Sequence, residues 1–171
     1  MNIKDLLISL SERDGVGSIT EASDFAFEIL SKYTKCEKQN NLTVIGFIKG
    51  KTDYTIMLDA HIDQIGMVVT AIDDNGFLTV ANSGGIDIRA LPSRQVTVHG
   101  KEKISAVFCS TPPHLASGKV EYDDISKIKL DTLLGPKAKE LISIGDYVTF
   151  SGNTFEMGEL LCGRSFDDRA A

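Results

Sequence analysis

Two periodicities divide this chain. Near the amino terminus apolar residues recur at helical spacing, and further on they alternate or run together as strands do. Residues 3–10 predict a short amphipathic helix. A second helix is expected to open at Ser18 or Thr20, with Glu21 three residues after Ser18 as in a capping box. Ala22, Phe25, Ala26, Ile29 and Leu30 form its apolar face, and it should end near Tyr33. Between the two helices, residues 14–18 read as a glycine-rich turn. Residues 42–48 predict a strand entered through an Asn40-Asn41 turn. Residues 54–60 predict a second strand, apolar on both faces as a strand inside an α/β sheet should be.

After this α/β opening the pattern becomes that of short strands separated by Gly, Pro and Asp. Residues 66–72 and 77–81 flank Asp73-Asp74-Asn75-Gly76, and Asn-Gly at the tip is a strong hairpin signal. Further strands are expected at 95–99, 104–108 and 147–150, with one or two helical turns near 137–141. The reading is therefore an α/β piece formed by 1–66 and 160–171, interrupted by a small β module, a barrel, at 67–159.

Charge and composition narrow the function classes. A net charge of −6 without a basic cluster argues against nucleic acid as a partner. The apolar runs are short for a membrane span, and the first residues lack the basic-then-apolar pattern of a signal peptide. Cys36, Cys109 and Cys162 are odd in number and widely spaced, which suits free thiols in a reducing cytoplasm better than a disulfide framework.

Two motifs carry candidate chemistry. His61 follows the predicted strand 54–60 directly, and ligands of open α/β sheets gather at the carboxyl ends of strands. Asp63, two residues on, is within reach of the imidazole or of a neighbouring group, and a metal-bound histidine needs such a partner. By spacing alone, a histidine that merely caps a strand end is the better-supported alternative. The second motif is Phe166-Asp167-Asp168-Arg169, where adjacent carboxylates call for a cation, for Arg169 or for solvent. His99 in a strand and His114 after Pro112-Pro113 read as structural or surface residues. Ser110 and Ser165 lack an evident triad arrangement, and no dinucleotide or phosphate-loop motif occurs.

Read together, these segments resemble the amino-terminal half of a dinuclear metallo-aminopeptidase of the tetrahedral and glutamyl aminopeptidase family, whose members are often labelled endoglucanase or cellulase. The resemblance is carried, in order, by residues 57–69 around Ala60-His61-Ile62-Asp63, by 72–78, Gly84-Gly85-Ile86 and 91–100, then by Pro112-Pro113-His114-Leu115, 144–148 and Phe166-Asp167-Asp168-Arg169-Ala170. It implies a partial zinc-peptidase-like α/β catalytic domain interrupted by a PDZ-like β-barrel used in homo-oligomer assembly. It further implies that His61 binds one metal, that Asp167 bridges two, and that Asp63 supports the histidine as a catalytic residue. The cofactors implied are two divalent ions, zinc or cobalt, and the substrate a peptide with a free amino terminus.

Two departures follow from the same resemblance. Gln64 stands where the family usually has Glu. The family's catalytic glutamates and remaining ligands lie beyond position 171, so the chain by itself is expected to hold an incomplete site. The alternatives are a non-catalytic oligomerisation fragment and, from the family's other label, an endoglucanase. Adjacent Asp167 and Asp168 are poorly placed to flank a sugar ring from opposite faces.

Overall fold

The computed structural model describes residues 2–40, 42–115 and 124–170. They divide into two compact units. One comprises Met1–Gln64 with Gly152–Ala171, the other Ile65–Ser151.

The discontinuous unit begins with α1 (Ile3–Ser11), whose cap residue Asn2 accepts a hydrogen bond from the Asp5 amide at 2.8 Å. Helix α2 (Glu21–Leu30) presents Ala22 and Phe25 to the interior, in keeping with its apolar stripe. Its start is not the expected capping box. Thr20 is the cap residue but its hydroxyl bonds Asp24 Oδ2 at 2.7 Å, while the Glu21 carboxylate accepts from the Asp14 amide at 3.2 Å. Glu21 is drawn to the preceding loop because that loop's Asp14 amide lacks a helical partner.

Strands β1 (Lys35–Gln39) and β2 (Thr43–Phe47) form an antiparallel hairpin. Asn40 turns at φ 52°, a left-handed conformation that Asn tolerates, and Asn41 of the expected turn lies outside the described residues. The predicted strand at 54–60 does not form. Residues 48–65 contain neither helix nor strand, and Tyr54, Met57 and Leu58 are 89%, 83% and 93% exposed. A strand exists by pairing, and no described strand lies beside this segment to pair with it.

The chain returns to this unit through the hairpin β9 (Phe155–Met157) and β10 (Leu160–Cys162), then α4 (Phe166–Arg169). Ser11 Oγ meets Thr154 Oγ1 at 2.6 Å, Glu12 accepts from the Thr154 amide at 2.9 Å, and Lys4 pairs with Glu156 at 2.6 Å. Helix α1 is thus stitched to residues more than 140 positions away.

The second unit is a closed six-stranded barrel. Its members are β3 (Gly66–Ile72), β4 (Leu78–Ser83), β5 (Gln95–His99), β6 (Lys103–Phe108), β7 (Leu130–Asp131) and β8 (Tyr147–Phe150), in the spatial order β3-β4-β7-β6-β5-β8. Alternation does the sorting, since residues along a barrel strand face in and out by turns. Met67, Val69, Leu78, Val80, Val96, Val98, Phe108, Leu130 and Val148 are all at most 1% exposed. Each such side chain contributes roughly 1.5–3 kcal/mol on burial. The short helix α3 (Ala138–Leu141) closes over this core through Ala138 and Ile142.

The β3–β4 turn forms as predicted. Asp73 Oδ1 accepts from the amides of Asn75 at 2.9 Å and Phe77 at 3.0 Å. Gly76 adopts φ 86°, and a Cβ there would sit 1.8 Å from the Gly135 carbonyl oxygen, so no other residue fits. Among the described residues, no helix is long and apolar enough to cross a membrane, and the three cysteines are free.

Candidate metal centre

His61 and Asp63 lie in the irregular segment of the discontinuous unit, both exposed, with Nδ1 of the imidazole 3.0 Å from Asp63 Oδ1. An ionised carboxylate at Nδ1 makes that nitrogen the proton carrier and places the lone pair on Nε2, the form in which histidine coordinates a cation. The expected His-to-Asp contact is therefore present, and it is set by the two-residue spacing.

Asp167 is exposed on α4, in the same unit. The side chain of Asp168 lies outside the described structure. Arg169, which closes the motif, does not reach outward to the solvent. It is 7% exposed and aims its guanidinium into the unit. Nε donates to the Ile62 carbonyl at 2.7 Å, and Nη1 donates to the carbonyls of Leu10 at 2.8 Å and Arg13 at 2.6 Å. Burial, with the nearby Arg164 charge adding to it, lowers the Arg169 pKa to about 10 from 12.5, against the opposing pull of Asp14 and Asp63. The group remains charged at neutral pH.

Neighbouring contacts reinforce this arrangement. The Gln64 amide donates to the Gly15 carbonyl at 2.8 Å, and the Ser165 hydroxyl donates to Gln64 Oε1. Arg164 Nη1 meets Asp14 Oδ1 at 2.5 Å, and its Nη2 reaches the Glu12 carbonyl at 2.5 Å. The segment bearing His61 and the helix bearing Asp167 thus belong to one hydrogen-bonded assembly, although Ile62 and Arg169 are 107 positions apart. Sequence reasoning missed Ser165, Arg164 and the inward role of Arg169. Their signal was faint: two arginines five residues apart in a chain end that otherwise reads as a polar turn.

The donors present are an imidazole and a carboxylate, which fit a divalent ion of the zinc or cobalt kind. Among the described residues, however, no three His, Cys, Asp or Glu side chains gather into a group able to hold a metal. The set fits in kind and falls short in number. Beside it, a cavity of about 700 Å³ is lined by Leu6, Leu10, Phe25 and Ile29 of α1 and α2 and by Asp59, His61 and Asp63.

The other two histidines lie in the barrel unit. His99 Nε2 lies 2.9 Å from Thr149 Oγ1 on the barrel. His114 is exposed in a single 3₁₀ turn.

Comparison with known proteins relates most of the chain to one family. Residues 43–171 match the family described as M42 glutamyl aminopeptidase. A lysyl aminopeptidase of Pyrococcus furiosus is 29% identical over 133 residues, covering 71% of this chain and 38% of the relative. Among solved structures, an aminopeptidase from the archaeon Desulfurococcus kamchatkensis superposes with a TM-score of 0.85 at 27% identity, over 96% of this chain and 48% of that one. The dodecameric PhTET1-12s does so with a TM-score of 0.84 at 25% identity, over 99% and 52%. The chain spans half or less of the length of the curated relatives it matches.

Proposed function

As the chain belongs to the M42 glutamyl aminopeptidase family, we propose that it supplies the amino-terminal part of a metal-dependent aminopeptidase, which releases amino-terminal residues from peptides. The single observation that carries this reading is the His61–Asp63 contact at 3.0 Å within the matched region. In the proposed site His61 and Asp167 would hold the divalent ions, and Asp63 would keep the imidazole in the tautomer that can bind one. When bound, the ion pair supplies a polarised peptide carbonyl and a water acidic enough to attack it near neutral pH. Since no three such donors gather among the described residues, this reading draws further ligands and the general base from outside them. The barrel unit, Ile65–Ser151, is in this reading a PDZ-like insertion through which identical subunits assemble in the cytoplasm; the dodecameric relative supports assembly as such.

A second reading, a non-catalytic assembly fragment, is favoured by the lack of a three-residue metal group among the described residues. Hydrolysis of a panel of aminoacyl-p-nitroanilides by the purified gene product, loaded with zinc or cobalt, separates the two. Turnover that needs a free amino terminus and is lost in His61→Ala supports the aminopeptidase. Self-association with neither turnover nor stoichiometric metal uptake supports the assembly fragment. Release of reducing sugar from cellulose without peptidase activity would point to the endoglucanase reading instead.

A further inference from the structure

The segment that carries His61 and Asp63 has no ladder or helix to define its path, since residues 48–65 form neither. Something else must hold it. Among the described residues, two hydrogen bonds tie its backbone to the rest of the unit: Arg169 Nε to the Ile62 carbonyl at 2.7 Å, and the Gln64 amide to the Gly15 carbonyl at 2.8 Å. Ile62 is the residue between the two functional candidates, so its carbonyl direction sets where both side chains start.

Arg169 is suited to this by shape. A guanidinium is a rigid planar fork, so bonds from Nε and Nη1 leave in fixed relative directions. Here Nη1 is anchored on the Leu10 and Arg13 carbonyls at the end of α1 and in the loop after it, and Nε then has one orientation left for Ile62. The backbone of Arg169 belongs to α4, two residues after Asp167. A Cβ on Gly15 would lie 2.9 Å from Arg169 Nη2 and 3.1 Å from Ala22 Cβ, so the loop before α2 leaves room for the guanidinium by lacking a side chain at that point. The Ser165–Gln64 contact forms a second tie between the same two segments.

We infer that Arg169 is a positioning residue, which fixes the His61-Ile62-Asp63 segment against the helix of Asp167 by bridging the Ile62 carbonyl to those of Leu10 and Arg13. Its consequence for metal binding rests on the aminopeptidase reading; the bridging itself does not.

The test is hydrogen exchange resolved by mass spectrometry on the 171-residue chain, with the barrel peptides as internal reference. In the unmodified chain the Gln64 amide should be protected, whereas amides of 54–59 exchange at near-unfolded rates. Arg169→Lys keeps a charge but loses the fork, and Arg169→Gln loses both. Both should raise exchange across 60–65 by about tenfold or more while the barrel is unchanged, and Lys should not rescue. Zinc affinity measured by titration should fall about 10- to 100-fold in the same variants, the usual cost of losing a group that orients a ligand. An unprotected Gln64 amide in the unmodified chain, or folded variants with unaltered exchange at 60–65, overturns the inference. Faster exchange with no zinc binding in any form leaves the positioning role standing and removes its consequence for metal binding by this chain.

Discussion

Asp14 and Arg164 are 150 positions apart and meet at 2.5 Å, with their side chains only 5% and 14% exposed. The pair joins the loop between α1 and α2 to the residues just before α4, so it holds together a unit whose chain is split by the barrel. Removing one partner of a buried ion pair strands the other charge, which costs about 3–5 kcal/mol. Asp14→Ala should destabilise the discontinuous unit by about 3 kcal/mol, seen as an earlier transition in urea by circular dichroism. The barrel should unfold at its usual concentration. An unshifted first transition would show that Arg164 finds an equivalent acceptor.

Gly76 is the local weak point of the barrel to substitution. Its φ of 86° and the 1.8 Å approach of a Cβ to the Gly135 carbonyl leave no room for a methyl group. Gly76→Ala should lower barrel stability by roughly 2–4 kcal/mol, since backbone strain and a steric clash add. Gly85→Ala is the control, because a Cβ there meets nothing within 4 Å. Thermal unfolding of the two variants side by side provides the comparison.

Asp87 should titrate far below an ordinary aspartate. The Arg89 side chain, then the Arg89 amide, hold its carboxyl at about 2 against the usual 3.8. The contacts are 2.9 Å from Nε, 2.8 Å from Nη2 and 3.1 Å from the amide. A folded-state value below the unfolded one means the contact stabilises the barrel above about pH 3.8 and that this contribution is lost as pH falls through about 2. Carboxyl-carbon NMR titration should give a midpoint near 2, moving back toward 3.8 in Arg89→Ala. Both side chains are exposed, so the pair's effect on overall stability should be hard to detect.

The cysteines should differ in reactivity. Cys109 is half-buried, and burial, with the Asp131 charge beyond it, raises its thiol pKa. Cys162 is exposed on β10. Because the thiolate is the nucleophile, iodoacetamide near pH 8 should label Cys162 first and Cys109 markedly later. Mass spectrometry of a time course checks the order, and equal rates would mean that the barrel opens locally around Cys109.

What could be read from the residues was what depends on near neighbours. The apolar stripe of α2, the alternation along β3, β5, β6 and β8, and the Asp73-to-Gly76 turn are each encoded by residues a few positions apart, and all are where the pattern puts them. Strand β1 was missed because Lys35-Cys36-Glu37-Lys38-Gln39 has no apolar face; it is a strand only because β2 pairs with it. Residues 54–60 erred the other way, being strand-like in composition and unpaired in space.

The site divides along the same line. His61 and Asp63 are two residues apart, and their 3.0 Å contact was readable from spacing. Arg169 was not, because burying a guanidinium is unfavourable unless acceptors meet it, and its acceptors come from Leu10, Arg13 and Ile62. The sequence by itself determined α1, α2, the barrel hairpin and the side-chain types of the candidate ligands, since each rests on local geometry and residue type. Only the tertiary structure decided which remote segments meet and that Arg169 turns inward, since both depend on hydrogen bonds that close across more than 100 residues of chain.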